Sequence, residues 1–346
     1  VIIIFEGFDN CGKSTIAKAL SKKMFMPLMT NDKSNLSLIK NFNFEDSFRY
    51  CIPKFFQYYD QRFIKDIIFD RDYMSEFVYG YLKRQEDFLS KSILSTCLQF
   101  DLEYFKRDTV IVYCYKTEIK DYKDEETPID LKKQAEERYL EIINRSYNKV
   151  LMLNTDSQDL EAQLEMIMSF IDRHKVLEVL NTNIYRDKST EGRIFFPGLF
   201  YGDEILFVGQ NPGRPTENQV EDIPVHTKVF QKYKDFEFEH HKSYFKSTFY
   251  KFLSKFAQSE FGLNNKQFSF TNIVKFSTEK DRPPTSDEIQ YCERLLTAQI
   301  NVLKPKRIVS FGKPSHELLS KNGVEHTAYY HPSYFRYHKT ELIKEA

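Results

Sequence analysis

Residues 1–15, VIIIFEGFDNCGKST, constrain this chain more than any other stretch. The apolar run up to Phe5 has no alternation, the pattern of a short buried strand. Gly7-Phe8-Asp9-Asn10-Cys11-Gly12-Lys13-Ser14 then fits GxxxxGK[ST], and helix-forming residues follow from Ile16 to Met24. Strand, glycine loop and helix in that order predict an anion cradle, with backbone N–H groups and the helix N-terminus facing phosphates. Gly7, Asn10, Gly12, Lys13, Ser14 and Thr15 are therefore the expected contacts of a bound nucleotide, ATP. Lys13 would neutralise the β- and γ-phosphates and the Ser14 hydroxyl would hold Mg²⁺. A chance match in a glycine-containing turn would not bring the flanking strand and helix with it.

The region behind this loop reads as a βα alternation. Residues 27–48 are polar without a sustained period, and 55–69 are dense in aromatics, helical before the apolar Ile67-Ile68-Phe69. Asp70-Arg71-Asp72-Tyr73 leads into a helix start around Phe77, and 88–106 reads as a long amphipathic helix. TVIVYCY (109–115) is a second buried strand by its β-branched content. A charged segment, 116–128, precedes a helix from Ile129 to about Ser146, a strand at Lys149–Leu153 and a helix from Ser157 to about His174. Such alternation implies a mostly parallel sheet covered by helices.

FEGFDNCGKST, DRDYMSEFVYG and AEERYLEI followed by a strand and Asp156 resemble the thymidylate kinase family over roughly residues 1–173. The resemblance implies that Asp9 contacts the sugar or the acceptor phosphate and that Arg71 holds that phosphate. It matches Arg62 to an Arg of the family's upstream helix. Phosphoryl transfer depends on positioning and charge neutralisation, so Lys13, Ser14 with Mg²⁺ and an acceptor-side Arg are the parts it needs. The alternative for Arg71 is a surface ion pair with Asp70 or Asp72; its place after an apolar strand favours a binding role. The family's Arg-rich lid is not evident in 116–128, where Lys116, Lys120 and Lys123, with Lys132 and Arg138 beyond, are candidate substitutes.

At 346 residues the chain has room for two domains, each typically ~100–200 residues long. The expected division is 1–177 for the first, 178–192 for a polar linker and 193–346 for the second. DEILFVGQNPG (203–213) opens a new series of a buried strand and a turn. FSFTNIVKF, RPPTSDEIQYCERLL, PKRIVSFGKPSHELL and YYHPSYFRYHKTEL follow, and together they resemble the uracil-DNA glycosylase superfamily over roughly 190–346. GxNPG is similar to its water-activating motif, and HPS to the motif that stabilises the departing base. The resemblance implies that Asn211 orients the attacking water beside Gln210, and that His331 hydrogen-bonds the oxyanion developing on the base. Asn272 would read a pyrimidine edge, and Phe245 would stack on an extruded base unless it is simply core. Lys242, Lys246, Arg336 and His338 would meet phosphates. TNIVK and RPPT resemble the iron–sulfur-containing branch, which uses four cysteines. Here Cys292 alone sits where one is expected and Phe276 stands where that branch has Cys, so no iron–sulfur cluster is expected.

Composition narrows the rest. Lys+Arg and Asp+Glu each total 50, so a DNA-binding surface must be local. The five cysteines have no CxxC spacing and read as thiols of a reducing compartment. Neither a membrane span nor a signal peptide is expected, which places the protein in the cytoplasm. The fold class expected is two α/β domains: a P-loop kinase domain with a parallel sheet, then a glycosylase-type α/β/α sandwich. Three readings stay open. One is an ATP-dependent kinase on a thymidylate-like deoxynucleotide, joined to a domain that recognises or excises a pyrimidine from DNA. Another is a kinase of a hydroxymethyl-type pyrimidine within DNA, with the second domain as a base-flipping or processing module. The last is an active kinase with a catalytically silent base reader. A pyrimidine deoxynucleotide and DNA are the partners implied; the oligomeric state is left open. The pairing suits a DNA-modifying virus.

Overall fold

The structure, a computed structural model, describes residues 1–30, 59–60, 62, 66–84, 87–101, 108–119, 128–146, 148–156, 159–182, 196, 198–211, 248–276, 278 and 282–332. The chain divides into two compact units, Val1–Ile171 and Asp172–Ala346. The division falls earlier than residue 177, inside a helix that runs from Leu160 to Thr182. Residues 178–182, expected to begin a linker, are therefore helical. Their neighbour Leu177 explains the extension, since it is buried in the second unit's core.

In the first unit β1 (Ile2–Glu6), β2 (Leu28–Thr30), β3 (Ile67–Asp70), β4 (Thr109–Tyr115) and β5 (Lys149–Asn154) form one sheet in the order β2-β3-β1-β4-β5. Every pairing in it is parallel. The central strand IIIFE is buried at each position, as a parallel strand covered on both faces must be. The helices are α1 (Lys13–Met24), α2 (Tyr73–Arg84), α3 (Asp87–Phe100), α4 (Ile129–Arg145) and α5 (Leu160–Thr182). From β1 the chain moves to one side of the sheet, and from β3 it crosses to the other. The C-terminal ends of β1 and β3 therefore meet at the topological switch point, where α/β sheets open a crevice.

The second unit repeats this logic with a different order. Its strands are β6 (Leu199–Phe200), β7 (Ile205–Gly209), β8 (Phe268–Asn272), β9 (Ile308–Phe311) and β10 (Thr327–Tyr329), arranged β10-β9-β7-β8-β6. Only the edge strand β6 runs antiparallel, against β8. The helices are α6 (Thr248–Phe261), α7 (Ser286–Leu303) and α8 (Lys313–Lys321). One core cluster is dominated by phenylalanines, with Phe207 at its centre packing on Phe256, Phe268 and Phe311. A second, aliphatic cluster contains Leu206, Val208, Leu296 and Phe276. The chain leaves β7 towards β8 and returns across it to β9, which again places a switch point at the C-terminal end of the central strand. No helix among the described residues is long and apolar enough to cross a membrane.

Candidate functional site

In the first unit the loop after β1 has the backbone an anion cradle requires. Gly7 (φ +141°) turns so closely under β4 that a Cβ there would lie 2.2 Å from the Cys114 carbonyl oxygen. Gly12 caps α1 in the left-handed region, with no side-chain cap and no acidic residue in the first turn. The helix's orphan N–H groups and positive dipole end are thus left to an anion. The Thr155 hydroxyl, just past β5, lies 2.9 Å from the Cys11 carbonyl oxygen and 3.1 Å from that of Tyr115, which ties the loop to the far side of the sheet. Lys13 is buried under the loop and donates to the Phe8 carbonyl at 3.0 Å. Burial and the neighbouring Arg71 charge push its amine below the usual lysine range. Asn10, Gly12 and Thr15 are exposed and Ser14 is half-buried at the start of α1.

Arg71 stands across from this loop. It follows β3 directly, has φ +73°, and its N–H donates to the Phe5 carbonyl at 3.0 Å. A left-handed non-glycine residue at a strand end is strained, and such positions cluster at working sites. The turn sends the guanidinium back over β1, where it pairs with Asp9 and bonds Ser75 (3.1 Å) and Tyr139 (2.9 Å). Asp9 and Arg71, expected on the acceptor side, are therefore brought together. Arg62 is not with them. It is fully buried, its guanidinium divided between Asp72 and Asp101, and it lies near the rings of Tyr59 and Tyr73. Arg62, matched by the resemblance to an Arg of the upstream helix and so expected to bind substrate, has its charge taken up in the core by two buried carboxylates that would otherwise be uncompensated.

A magnesium ion fits this site. In addition to the Ser14 hydroxyl, which opens α1, Asp70 at the end of β3 buries an Oδ1 atom without a hydrogen-bond partner and is close enough to Lys13 to act on its charge. An orphaned buried carboxylate oxygen is costly unless a ligand satisfies it. In the sequence Asp70 stands out only as an ion-pair partner for Arg71; its place one residue before Arg71, at the end of an apolar strand, is the signal that points to it.

In the second unit Gly209, Gln210, Asn272 and His331 lie at or just beyond the C-terminal ends of strands, while the RPPT segment leads into the capped start of α7. Gly209 closes β7 opposite Asn272 of β8. A Cβ at Gly209 would lie 2.5 Å from Asn272 Oδ1, so glycine is what lets this amide approach. Gly312, after β9 with φ +87°, plays the same part for Gln210 and His331: a Cβ would meet Gln210 Nε2 at 2.2 Å and His331 Cβ at 3.3 Å. Gln210, Asn272 and His331 thus converge on one crevice with Asn211. The Asn211 amide donates from Nδ2 to the Thr278 hydroxyl (3.1 Å), which donates to the Arg282 carbonyl (2.7 Å). The Arg282 guanidinium makes paired 2.8 Å bonds to Glu288, which closes the capping box of α7 with Thr285. The RPPTSDE segment therefore anchors Asn211, with the amide nitrogen turned to Thr278. Burial lowers the His331 pKa, which favours the neutral imidazole, a hydrogen-bond donor without charge. Phe249 lies nearly parallel to it, with ring centroids 6.2 Å apart and planes at 12°. Phe245, Lys242, Lys246, Arg336 and His338 lie outside the described residues. So do Lys120 and Lys123 of the expected lid; Lys132 is buried on α4, and Arg138 lies over the Tyr81 ring.

An iron–sulfur cluster does not fit. Phe276 is buried against Cys292 in the aliphatic core and its ring meets Tyr291 at 5.8 Å, so the ground a cluster would need is packed apolar. Cys292 Sγ accepts the Lys275 N–H at 3.4 Å. Lys275 itself is buried, its amine pushed down to about 7 by desolvation, and donates to Thr271 Oγ1 and the Asn272 carbonyl, both at 2.5 Å. It fixes the strand end that carries Asn272.

Comparison with known proteins separates the halves. Residues 200–346 match the uracil DNA glycosylase superfamily. Among curated proteins, type-4 uracil-DNA glycosylase of Sulfurisphaera tokodaii is 36% identical over 74 residues, covering 21% of this chain and 34% of that protein. The Saccharolobus solfataricus enzyme is 29% identical over 119 residues, covering 34% and 44%. The chain thus spans less than half the length of these relatives. Among solved structures, YorR protein of Bacillus subtilis, in complex with phosphorylated GDP, superimposes on the N-terminal half with 22% identity and TM-score 0.39, covering 51% of this chain and 98% of that one. Deoxyadenosine kinase of M. mycoides, with dCMP and dCDP, does so with 16% identity and TM-score 0.35, covering 50% and 99%.

Proposed function

Taking as premise a chain whose residues 200–346 form a domain of uracil-DNA glycosylase type and whose first unit is a parallel α/β domain with a phosphate loop, we propose a two-site enzyme of pyrimidine nucleotides and DNA. The first unit transfers a phosphoryl group from ATP to a thymidylate-like deoxynucleotide. The second binds DNA and recognises or excises a pyrimidine base. The observation that carries the first assignment is the opposition of two cationic groups across one crevice, Lys13 in the loop and Arg71 at the neighbouring strand end.

The division of labour follows from charge. The loop N–H groups and Lys13 would hold the donor's β- and γ-phosphates, while Arg71, released from part of its pairing with Asp9, would take the acceptor phosphate. Mg²⁺, when bound by Ser14 and reached by Asp70, supplies the remaining neutralisation of the transferred group. Two cations aimed from opposite sides align donor and acceptor, and such alignment supplies much of the rate in this chemistry. Asp9 beside Arg71 orients the guanidinium and offers an acceptor to a sugar hydroxyl.

In the second unit Asn211, held through Thr278, would present its amide oxygen to a water, and neutral His331 would donate to the oxygen of the departing base. An amide is no general base, so hydrolysis here is slower than a carboxylate would make it. Asn272 would match the donor–acceptor edge of a pyrimidine, and the Phe249 ring beside His331 offers the apolar face that an extruded base needs.

The test uses γ-labelled ATP and Mg²⁺ with free dTMP, dUMP and 5-hydroxymethyl-dUMP, and separately with end-blocked oligonucleotides containing thymine, uracil or 5-hydroxymethyluracil, following base release in the same tubes. Label on a free deoxynucleotide supports the proposal. Label confined to the end-blocked oligonucleotide moves the acceptor into DNA, and no transfer to either set overturns the kinase assignment.

A further inference from the structure

Behind Arg71 lies a group that the phosphoryl-transfer chemistry does not itself use. Glu6, the last residue of β1, is completely buried. Its Oε1 accepts the Asp72 backbone N–H at 2.9 Å and its Oε2 accepts the Ser75 hydroxyl at 2.6 Å. Ser75 Oγ also lies 2.7 Å from the Tyr139 hydroxyl, and one guanidinium nitrogen of Arg71 reaches both oxygens.

The proton inventory fixes the direction of these bonds. Arg71 can only donate, and its Nη1 carries two hydrogens, one for each hydroxyl oxygen. The Ser75 proton goes to the carboxylate, so its lone pairs receive Arg71 and Tyr139. The Tyr139 proton then goes to Ser75 or to Glu6, which it also faces. Every donor has an acceptor only if the hydroxyl protons run towards Glu6 and the hydroxyl oxygens face Arg71.

We propose that Glu6 is the positioning residue of the acceptor site. Its buried carboxylate draws the protons of Ser75 and Tyr139 and so turns both oxygens onto the Arg71 guanidinium, holding it over the crevice. This rests on the reading of Arg71 as the acceptor-phosphate contact. Three elements meet in the device: Glu6 from β1, Ser75 from α2 and Tyr139 from α4. Among the described residues the charged groups facing Glu6 include Arg71 and Lys13, with Asp9 across the guanidinium, Asp72 bonded through its backbone N–H, and Tyr139 as the neighbouring titratable hydroxyl. Desolvation pushes the Glu6 carboxyl up to about 7, against the pull of Ser75 and both cations. Arg71 is therefore held best above neutrality.

Glu6→Gln is nearly isosteric, yet it reverses the chain. The Asp72 N–H claims the new amide oxygen, so the amide N–H₂ points at Ser75, the Ser75 proton turns to Tyr139, and the Tyr139 proton is left buried without a partner. Tyr139→Phe removes that proton. With acceptor and ATP varied separately, Glu6→Gln is expected to raise the acceptor KM about tenfold, the scale of one orphaned buried donor, and to leave the ATP KM unchanged. Adding Tyr139→Phe is expected to make matters no worse. The acceptor KM of the natural protein should rise as pH falls through about 7, and that limb should be missing in Glu6→Gln; the acceptor phosphate titrates equally in both. Additive losses in the double variant, or a Glu6→Gln protein that behaves like its parent, would overturn the proposal. If Glu6→Gln does not fold, Ser75→Ala with Tyr139→Phe gives the neighbouring cycle on the same relay, where additive losses in acceptor KM likewise overturn it. Should the natural protein transfer phosphate to no acceptor, the kinase reading falls separately, and the cycle read in unfolding midpoints decides the relay: coupling between positions 6 and 139 supports it, additivity overturns it.

Discussion

The two crevices are built at the same place in their sheets and from opposite materials. In the first unit the strand ends bring together charges, with Lys13, Arg71, Asp9 and Glu6 compensating one another around a loop of backbone donors. In the second they bring together the neutral groups Gln210, Asn211, Asn272 and a His331 whose imidazole burial keeps uncharged. The difference follows the ligands proposed for each site. Phosphates are anions whose transfer is governed by charge neutralisation, whereas a base is neutral, is read by paired donors and acceptors, and becomes charged only as it leaves. Each site also relies on glycine where something must come close: Gly7 under Cys114, Gly209 beside Asn272, Gly312 beside Gln210.

The comparison breaks most sharply at Lys13. Lys13→Ala should lower phosphoryl transfer by about 10²–10³, the usual cost of one preorganised charge-stabilising donor, with the fold retained and DNA binding by the second unit unaltered. A similar fall in DNA binding would mean that the two chemistries are not separable. The converse variant, His331→Ala, should reduce base release by a comparable factor, equivalent to about 2.7–4 kcal/mol, while leaving labelled-phosphate transfer intact.

Stability against pH sharpens the contrast. Glu6 has its folded pKa raised from 4.5 to about 7, so the stability it contributes is full below 4.5 and is lost as pH rises to about 7. That is on the order of 3 kcal/mol in the first unit. His331 has its pKa lowered from 6.5, so its contribution is present above that value and lost as pH falls below it. Lys275, lowered from 10.5 to about 7, contributes stability present above 10.5 and lost as pH falls towards 7. Amide hydrogen exchange in β1 and β7, measured at pH 5 and pH 7, should therefore move in opposite directions once corrected for intrinsic exchange. Glu6→Gln should abolish the first trend alone.

What the sequence revealed and concealed follows the same physics. The phosphate loop is legible because its function depends on contiguous backbone, so its glycines, lysine and serine fall in one short run. The strand-end positions of Arg71, Asn211, Asn272 and His331 are legible because each follows an apolar strand or lies in a compact motif; their roles are proposals. The relay from Glu6 through Ser75 to Tyr139 is not, since its members are 69 and 64 residues apart and of common types. Arg62 misled because residue type alone cannot distinguish a cation that faces a ligand from one that neutralises Asp72 and Asp101 in the core. The expected stacking residue, Phe245, lies outside the described residues, and among 32 phenylalanines nothing in the sequence singles out Phe249 beside His331. Residues 174–182 looked like the approach to a linker because they are polar; the helix continues there because Leu177 finds the second core.

The smallest expected effect tests how Asn211 is held. Thr278 accepts from the Asn211 amide and donates to the Arg282 carbonyl, so its single hydroxyl links the proposed water-orienting group to the capped end of α7. Thr278→Val keeps the β-branched shape and removes both bonds. The amide would then lose the partner that defines which end faces the crevice, and rotation about its last bond would expose the wrong group to water for part of the time. One neutral hydrogen bond contributes about 0.5–1.5 kcal/mol, so base release should fall about three- to tenfold. DNA affinity should be unchanged, because Asn272 and the crevice walls keep their places. In the first unit the corresponding loss, Ser75→Ala, should appear instead in acceptor KM, since there the hydroxyl positions a charge that binds substrate. If Thr278→Val weakens DNA binding and base release equally, Asn211 is a binding group, and the contrast between a site that holds by charge and one that orients by neutral bonds fails at this residue.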